Sequence, residues 1–468
     1  MTKTANEREI VLEVLTEVLE KEGLIHQVLS AALRKYQYLD KSERAFITKV
    51  SEGTLEYLLQ MDAVLGSCSK TPVKKMKPLI RTLLRMSVYQ ILYMDRVPDS
   101  AVCNEAVKLA GKRGFAGLKG FVNGVLRTVS RQKESFSFAD NLSLQYSMPQ
   151  WIVDLWERQF GCEETETMLA ALLKESPLSV RFLTAESSKE EILASLMAQG
   201  IECEPSPLTG EVYQLSHVDS LEQTKAFYEG RLAVQDASSA LVSLFAAPKK
   251  DDFVLDVCAA PGGKALHMAE LLRDGGFVEA RDVSEKKTAL ILENAERMGC
   301  QNVKVRVWDA RELDASMIEK ADIVLADLPC SGLGIIGRKP DIKYHTSLSK
   351  LEELATLQRE LLSVVQNYVK EGGLLIYSTC TINYEENEGN LAWFLSHFPF
   401  EGVDLSKRGG SYFEQRLARG EDLSLREGWI QLKPGIHPCD GFFLSVLRKK
   451  KQEEGLPNSQ EAKQGMVG

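Results

Sequence analysis

Through the first third of the chain, apolar residues recur at helical spacing. In REIVLEVLTEVLEK, Ile10, Val11, Val14, Leu15, Val18 and Leu19 follow a 3.6-residue period. Asp40 or Ser42 is placed to cap the helix that begins DKSERAFITKVSEGTLEYLL, with acidic residues in its first turn and body. KKMKPLIRTLLRMSVYQILYM is amphipathic with a strongly basic polar face. VPDSAVCNEAVKLAGKRG opens on Pro-Asp-Ser and stops at glycine, and KGFVNGVLRTVSR completes the set. Residues 1–135 are thus expected to form an all-α domain with no catalytic constellation, and the polar stretch 134–150, broken by Pro149, reads as a linker.

The pattern then changes twice. Over 140–235, helical runs (QWIVDLWERQF, ETETMLAALLKE, SKEEILASLMAQG) mix with short strand-like runs (LSVRFLT, IECEPSP, VYQLSH, LAVQD), predicting a small α+β domain. Over 236–448 the order becomes strand, turn, helix: FVLDVCAA before KALHMAELLRD, FVEARDV before EKKTALILENAERMG, then VKVRVWDA and ADIVLADLP. A helix over LSKLEELATLQRELLSVVQNYVKEGG and a strand over LLIYSTCTI follow. Continuous apolar strands alternating with helices predict a doubly wound, Rossmann-like α/β sheet. The chain is therefore multidomain, and its polar end, residues 449–468, is expected to be disordered.

Composition narrows the setting. Of 468 residues, 44% are hydrophobic and 26% charged, as in an ordinary soluble protein. The N-terminus lacks the apolar run of a signal peptide, and no stretch approaches a membrane span of roughly 18 apolar residues. A cytoplasmic protein without a membrane partner is expected. The nine cysteines are scattered without a CxxC pair, which supports neither a disulfide framework nor a metal site. The net charge of −9 hides an asymmetry: residues 70–131 hold 13 basic residues against 3 acidic ones. Scattered lysines usually only solvate helices, but a one-signed bias over sixty residues favours a polyanion, here nucleic acid.

The candidate chemistry falls where the predicted strands end, the side of an open α/β sheet on which ligands bind. Asp256-Val-Cys258-Ala259-Ala260-Pro261-Gly262-Gly263-Lys264 makes a tight turn. Its spacing is not GxGxxG, and Lys264 is not followed by the Ser or Thr of a P-loop, so NAD and ATP are disfavoured. Asp282, after the next strand, can accept both hydroxyls of a ribose, and Asp309, after the third, can accept from an adenine amino group. Lone strand-end aspartates are mostly caps or loop formers, but three such features in register suggest a nucleoside ligand. Asp327-Leu-Pro-Cys330-Ser-Gly and Thr379-Cys380-Thr381 end two further strands, the second before Glu385, Glu386 and Glu388. Strand-end cysteines are more often inert than catalytic. A thiol, a carboxyl group and a nucleoside cofactor nonetheless fit methylation at pyrimidine C5, where a thiolate must first add at C6 and an acid must meet N3.

CAAPGGK, DLPCSG, STCT, VQDASS (234–239) and HPCDGFF (437–443) resemble the S-adenosylmethionine-dependent RNA cytosine-C5 methyltransferases. LRMSVYQILYMDRVPDSAVCNEAV and FVNGVLR look like the RNA-binding NusB fold. The resemblance covers about residues 5–447 and implies a ferredoxin-like, RNA-binding middle domain. It implies Cys380 as nucleophile, Cys330 in product release and Asp327 on the cytosine. It also implies an S-adenosyl-L-methionine site over Cys258, Ala259, Ala260, Pro261, Gly262, Gly263, Lys264, Asp282, Asp309 and Asp327. Small-subunit ribosomal RNA, rather than DNA, is the implied partner of a monomer. One departure stands in VEARDV, where Glu279 and Arg281 replace small or apolar residues. DNA cytosine methyltransferases use a Pro-Cys thiol, which would nominate Cys330 for the attack. A catalytically silent RNA-binding scaffold is the reading from another class.

Overall fold

The computed structural model describes residues 6–174, 176–184, 187–273, 275–408, 410–421 and 423–451. The tail expected to be disordered lies outside these residues from position 452, while its first residue closes the last strand.

Seven helices build the N-terminal domain: α1 (Glu7–Lys21), α2 (Ile25–Lys35), α3 (Lys41–Glu56), α4 (Leu58–Cys68), α5 (Pro78–Tyr93), α6 (Asp99–Lys112) and α7 (Lys119–Gln132). The periodic residues of α1, from Ile10 to Val18, are buried with Leu83, Leu84 and Val88 of α5 in one core. Asp40 caps α3 in a reciprocal capping box with Glu43, which satisfies two otherwise orphaned amide donors. The stretch expected as a linker is instead docked. Phe136 and Phe138 pack on the helical core, and the Gln60 amide donates to the carbonyls of Leu144 and Gln145 in and beside α8 (Leu142–Gln145). Its polarity misled because side chain-to-backbone bonds leave no periodic trace.

Next, α9 (Gln150–Leu172) breaks its helical geometry at Gly161 and packs Trp156, Met168 and Leu169 against Leu333, Ile336 and Ile382 far along the chain. A four-stranded antiparallel sheet follows, in the order β2-β3-β1-β4: β1 (Leu178–Phe182), β2 (Glu202–Pro205), β3 (Val212–Ser216) and β4 (Leu232–Val234). Helix α10 (Lys189–Met197) covers one face, where Val180, Tyr213 and Leu215 meet Ile192 and Leu196. The opposite face looks toward the third domain, where Arg181 bonds Gln235 and Glu270.

The third domain holds the large sheet, in the order β10-β12-β9-β8-β5-β6-β7, with β11 also paired to β12. Strands β5 (Phe253–Asp256), β6 (Phe277–Asp282), β7 (Val303–Val307), β8 (Ala321–Asp327) and β9 (Val369–Thr379) are parallel. The chain winds outward from β5 through β6 to β7, then returns to place β8 on the other side of β5. That reversal creates a crevice at the carboxyl ends of β5 and β8, where ligands bind in such sheets. β9 begins five residues before the apolar run that announces it, because Val369 pairs with Ala321 across a register shift and VKEGG joins the strand. The antiparallel margin of β10 (Phe400–Gly402), β11 (Trp429–Leu432) and β12 (Phe442–Lys449) was not foreseen. Among the described residues, no helix is long and apolar enough to cross a membrane.

A strap after Gly337 joins the third domain to the first. Asp341 accepts from the Ile25 amide at 3.1 Å, and the Tyr344 hydroxyl donates to the Leu55 carbonyl at 2.9 Å. Lys343 donates to the carbonyls of Glu56 and Ser147 at 2.8 and 2.7 Å, and burial pushes its ammonium down to about 7.

Candidate active site

At the end of β5 the chain turns through Cys258–Gly262 into α11 (Gly263–Leu271). The Ala259 amide donates to the Arg281 carbonyl at 2.8 Å and the Ala260 amide to Asp282 at 3.0 Å, so β6 props the turn. Gly262 sits at φ 109°, a left-handed conformation that favours glycine. A Cβ on Gly263 would meet nothing within 4 Å, which leaves an open face for a ligand. The turn borders a cavity of about 260 Å³ that is also lined by Asp256, Lys264 and Asp327.

Two observations test whether S-adenosylmethionine suits this cavity. Asp256 is buried, its Oδ1 meets the Cys258 amide at 3.3 Å, and its Oδ2 has no partner among the described residues. Burial and then the neighbouring Asp327 push its carboxyl up to about 7. An orphaned buried acceptor beside an open glycine face suits a ligand that brings hydroxyl or ammonium donors. The residues fit the cofactor.

The two thiols meet. Cys330 Sγ and Cys380 Sγ lie 3.4 Å apart, both partly exposed. Below them the Cys330 loop is bolted to the Cys380 loop through Glu386, which is fully buried. Its carboxylate accepts from the Ser331 amide (2.8 Å), Ser331 Oγ (2.6 Å), Asn383 (3.1 Å) and Gln358 (3.2 Å). Gln358 also donates to the Pro329 carbonyl, and Ser331 Oγ lies 2.8 Å from Thr381 Oγ1. A Cβ on Gly334 would come within 2.2 Å of the Gly441 carbonyl, so only glycine allows this close approach.

This packing makes the thiols unequal. The hydrogen bond between the thiols, assisted by Lys264 and Lys339, holds Cys380 below the ordinary thiol value against its partial burial and Asp327. Cys330, bonded to Cys380, largely shielded from water and facing Glu386, is raised well above it. Asp327 spans the gap to the cofactor cavity: Lys264 Nζ donates to it at 2.6 Å and Ser378 Oγ at 2.8 Å. Burial works against the Lys264 charge, but Asp327 prevails and raises it.

Residues 258–264, Asp327, Cys330 and Cys380 therefore converge on one crevice. Asp282 reaches it through the Ala260 amide and also pairs with Lys287 at 3.1 Å. Asp309 stands apart at the β7 end, gripped by Arg311 at 2.6 Å. Glu279 and Arg281 form a buried ionic cluster with Asp314. The residues that sequence reasoning left without roles are Glu386, noted only as part of an acidic helix start, and Arg338. Arg338 bonds both Asp236 of VQDASS and Asp440 of HPCDGFF, two quoted motifs whose meeting was the available signal.

Comparison with known proteins turns this geometry into a family. A family model for the 16S rRNA methyltransferase RsmB/F matches residues 243–448, the NusB family matches 5–131, and an RsmF/B-like ferredoxin-like domain matches 148–218. The probable ribosomal RNA small subunit methyltransferase B of Bacillus subtilis is 34% identical over 454 residues, spanning 96% of this chain and all of that protein. This chain belongs to the RsmB/F methyltransferase family. Ribosomal RNA small subunit methyltransferase B of Klebsiella pneumoniae is 30% identical over 96% of this chain and 100% of its own length. The crystal structure of PH0851 superposes with a TM-score of 0.81 at 27% identity, covering 96% of this chain and 99% of that one.

As an RsmB/F methyltransferase, the chain uses S-adenosylmethionine and carries a NusB domain and a ferredoxin-like domain ahead of its catalytic sheet. The basic stretch of the NusB domain is partly neutralised: Arg81, Arg85, Lys108, Lys112 and Arg113 pair with acids. Lys70, Lys74, Lys75, Lys77, Arg127 and Arg131 are exposed, with no ion pair among the described residues. A bond from Cys68 to Gln132 joins the ends of α4 and α7, which brings the lysine turn and the end of α7 onto one side of the domain.

Proposed function

We propose that this methyltransferase forms 5-methylcytosine in small-subunit ribosomal RNA through a covalent adduct between Cys380 and cytosine C6. The observation that carries the reading is the 3.4 Å approach of two unequal thiols beside the Lys264–Asp327 pair. Carbon 5 of cytosine is a poor nucleophile until a thiolate adds at C6. Cys380, the more acidic thiol, forms the sulfur–C6 bond, and the displaced electron pair makes C5 nucleophilic. Asp327 faces N3, where the lysine-supported carboxyl group meets the proton and charge that develop there. Residues 258–264, Asp282, Asp309 and Asp327 would hold S-adenosylmethionine, which supplies an electrophilic methyl group when bound. A base then removes the C5 proton, the sulfur–C6 bond breaks, and Cys330 assists this release.

The target base must be unpaired or flipped for its C6 to reach the thiol. The exposed lysines and arginines of the NusB domain hold the surrounding RNA by its phosphates, so affinity should fall steeply with salt. The enzyme acts in the cytoplasm as a monomer, on RNA rather than DNA. Bisulfite sequencing of RNA from a deletion strain should lose one 5-methylcytosine in the small subunit. With substrate RNA, Cys380→Ala should abolish methyl transfer, whereas Cys330→Ala should accumulate a covalent adduct on a denaturing gel. An adduct trapped on Cys330 instead would reverse the roles.

A further inference from the structure

A second cavity, of about 180 Å³, shares its wall with the cofactor cavity through Ser179, Asp236, Arg338 and Asp440. Arg338 forms that wall, held between Asp440 and Asp236 and bonded to the Pro177 carbonyl at 3.1 Å. The outer side is supplied by the ferredoxin-like sheet. Ser179 on β1 lies directly opposite Gln214 on β3, so both side chains leave on the face turned away from α10. Neither side chain has a hydrogen-bond partner among the described residues, although both line the cavity. Lys174, exposed at the rim, has no ion-pair partner there either.

We infer that this second cavity is a subsite for the RNA nucleotide next to the target cytosine. A base drawn to the thiols keeps its neighbours covalently attached, and this chamber adjoins the crevice. A carboxamide and a hydroxyl offer both donors and acceptors, as the edge of a base requires, and Lys174 at the mouth meets a phosphate. The two carboxylates of the wall share Arg338, which cancels one of their charges, so they repel the strand less than a free pair would. Gln214 and Ser179 read the base and Lys174 holds the backbone. The ferredoxin-like domain thereby gains a part in choosing the substrate. This inference rests on the RNA cytosine methylation proposed above.

The test uses the full-length enzyme and RNA fragments that span the methylated cytosine, with each neighbouring base changed in turn. The wild type should discriminate at one neighbour by about tenfold or more in kcat/KM. Gln214→Ala should flatten that preference while binding S-adenosylmethionine as the wild type does, and Ser179→Ala provides an independent second variant. Lys174→Ala should weaken all fragments alike and lower the salt slope by about 0.7. Discrimination unchanged in both Gln214→Ala and Ser179→Ala, or a wild type indifferent to both neighbours, would overturn the subsite while leaving the methylation intact. Absence of any 5-methylcytosine in the product would sink the functional reading and the subsite together.

Discussion

Two buried polar clusters in the catalytic domain solve the same problem differently. Under the thiols, Glu386 is surrounded by neutral donors from Ser331, Asn383 and Gln358. At β6 and β7, Arg281 is fully buried between Glu279 and Asp314, with Arg306 also on Asp314 at 3.0 Å. The second cluster is ionic and incomplete: Arg281 Nη1 has no hydrogen-bond partner among the described residues. It touches the Cys258–Gly262 turn through the Arg281 backbone carbonyl. The first cluster fixes where the two thiols stand, and the second fixes how a strand packs. Buried polarity should therefore be costly to disturb in both places, but only the first should register in the chemistry.

The largest effect on stability should come from Arg281→Met. It leaves the buried Glu279 and Asp314 only the more exposed Lys304 and Arg306 as partners and should cost about 3 kcal/mol in denaturant unfolding. Replacing Glu279, Arg281 and Asp314 together with apolar residues should recover most of that loss. Glu386→Ala strands neutral donors instead and should cost about 1–3 kcal/mol, with methyl transfer lost. Glu386→Gln keeps the shape but turns one acceptor into a donor against Ser331 or Gln358. It should fold well and lower kcat by about 10- to 100-fold. A kcat more sensitive to Arg281→Met than to Glu386→Gln would break the distinction between the clusters.

The smallest effect concerns a buried cation held only by the seam between domains. Lys343 falls from its ordinary 10.5 to about 7 on burial, so between those values the unfolded chain binds more protons than the folded one. Stability should therefore rise with pH across that window and level off below it. Lys343→Met should flatten the dependence of Tm on pH. A wild-type curve already flat from pH 7 to 10 would refute the shift.

The same contrast shows what a reader of the chain can see. Strands β5 and β8 are apolar runs closed by Asp256 and Asp327, and β6 ends likewise on Asp282 despite Glu279 and Arg281 within it, so both the sheet and the carboxylates at its ends were legible. The cysteines stood out because each follows such a run. Their inequality did not, since it arises first from the bond between the two thiols and then from Lys264, Lys339 and Glu386, contributed by other segments. VKEGG was read as helix because its strand partner, Ala321, lies far back in the chain. The clasp of Arg338 on Asp236 and Asp440 joins positions about a hundred residues apart in each direction. Three-residue β10 is too short to carry an alternating pattern.

The strap between the first and third domains has a consequence for how this protein can change over time. Asp341, Lys343 and Tyr344 all address main-chain groups of the NusB domain and the segment after it: the amide of Ile25 and the carbonyls of Leu55, Glu56 and Ser147. Every residue other than proline offers the same amide and carbonyl, so side chains on that side of the seam are free to drift. Selection need preserve only three residues on the strap and the places where two helices begin and end. A seam built in this way accommodates lineages that share about a third of their residues yet align along nearly the whole chain.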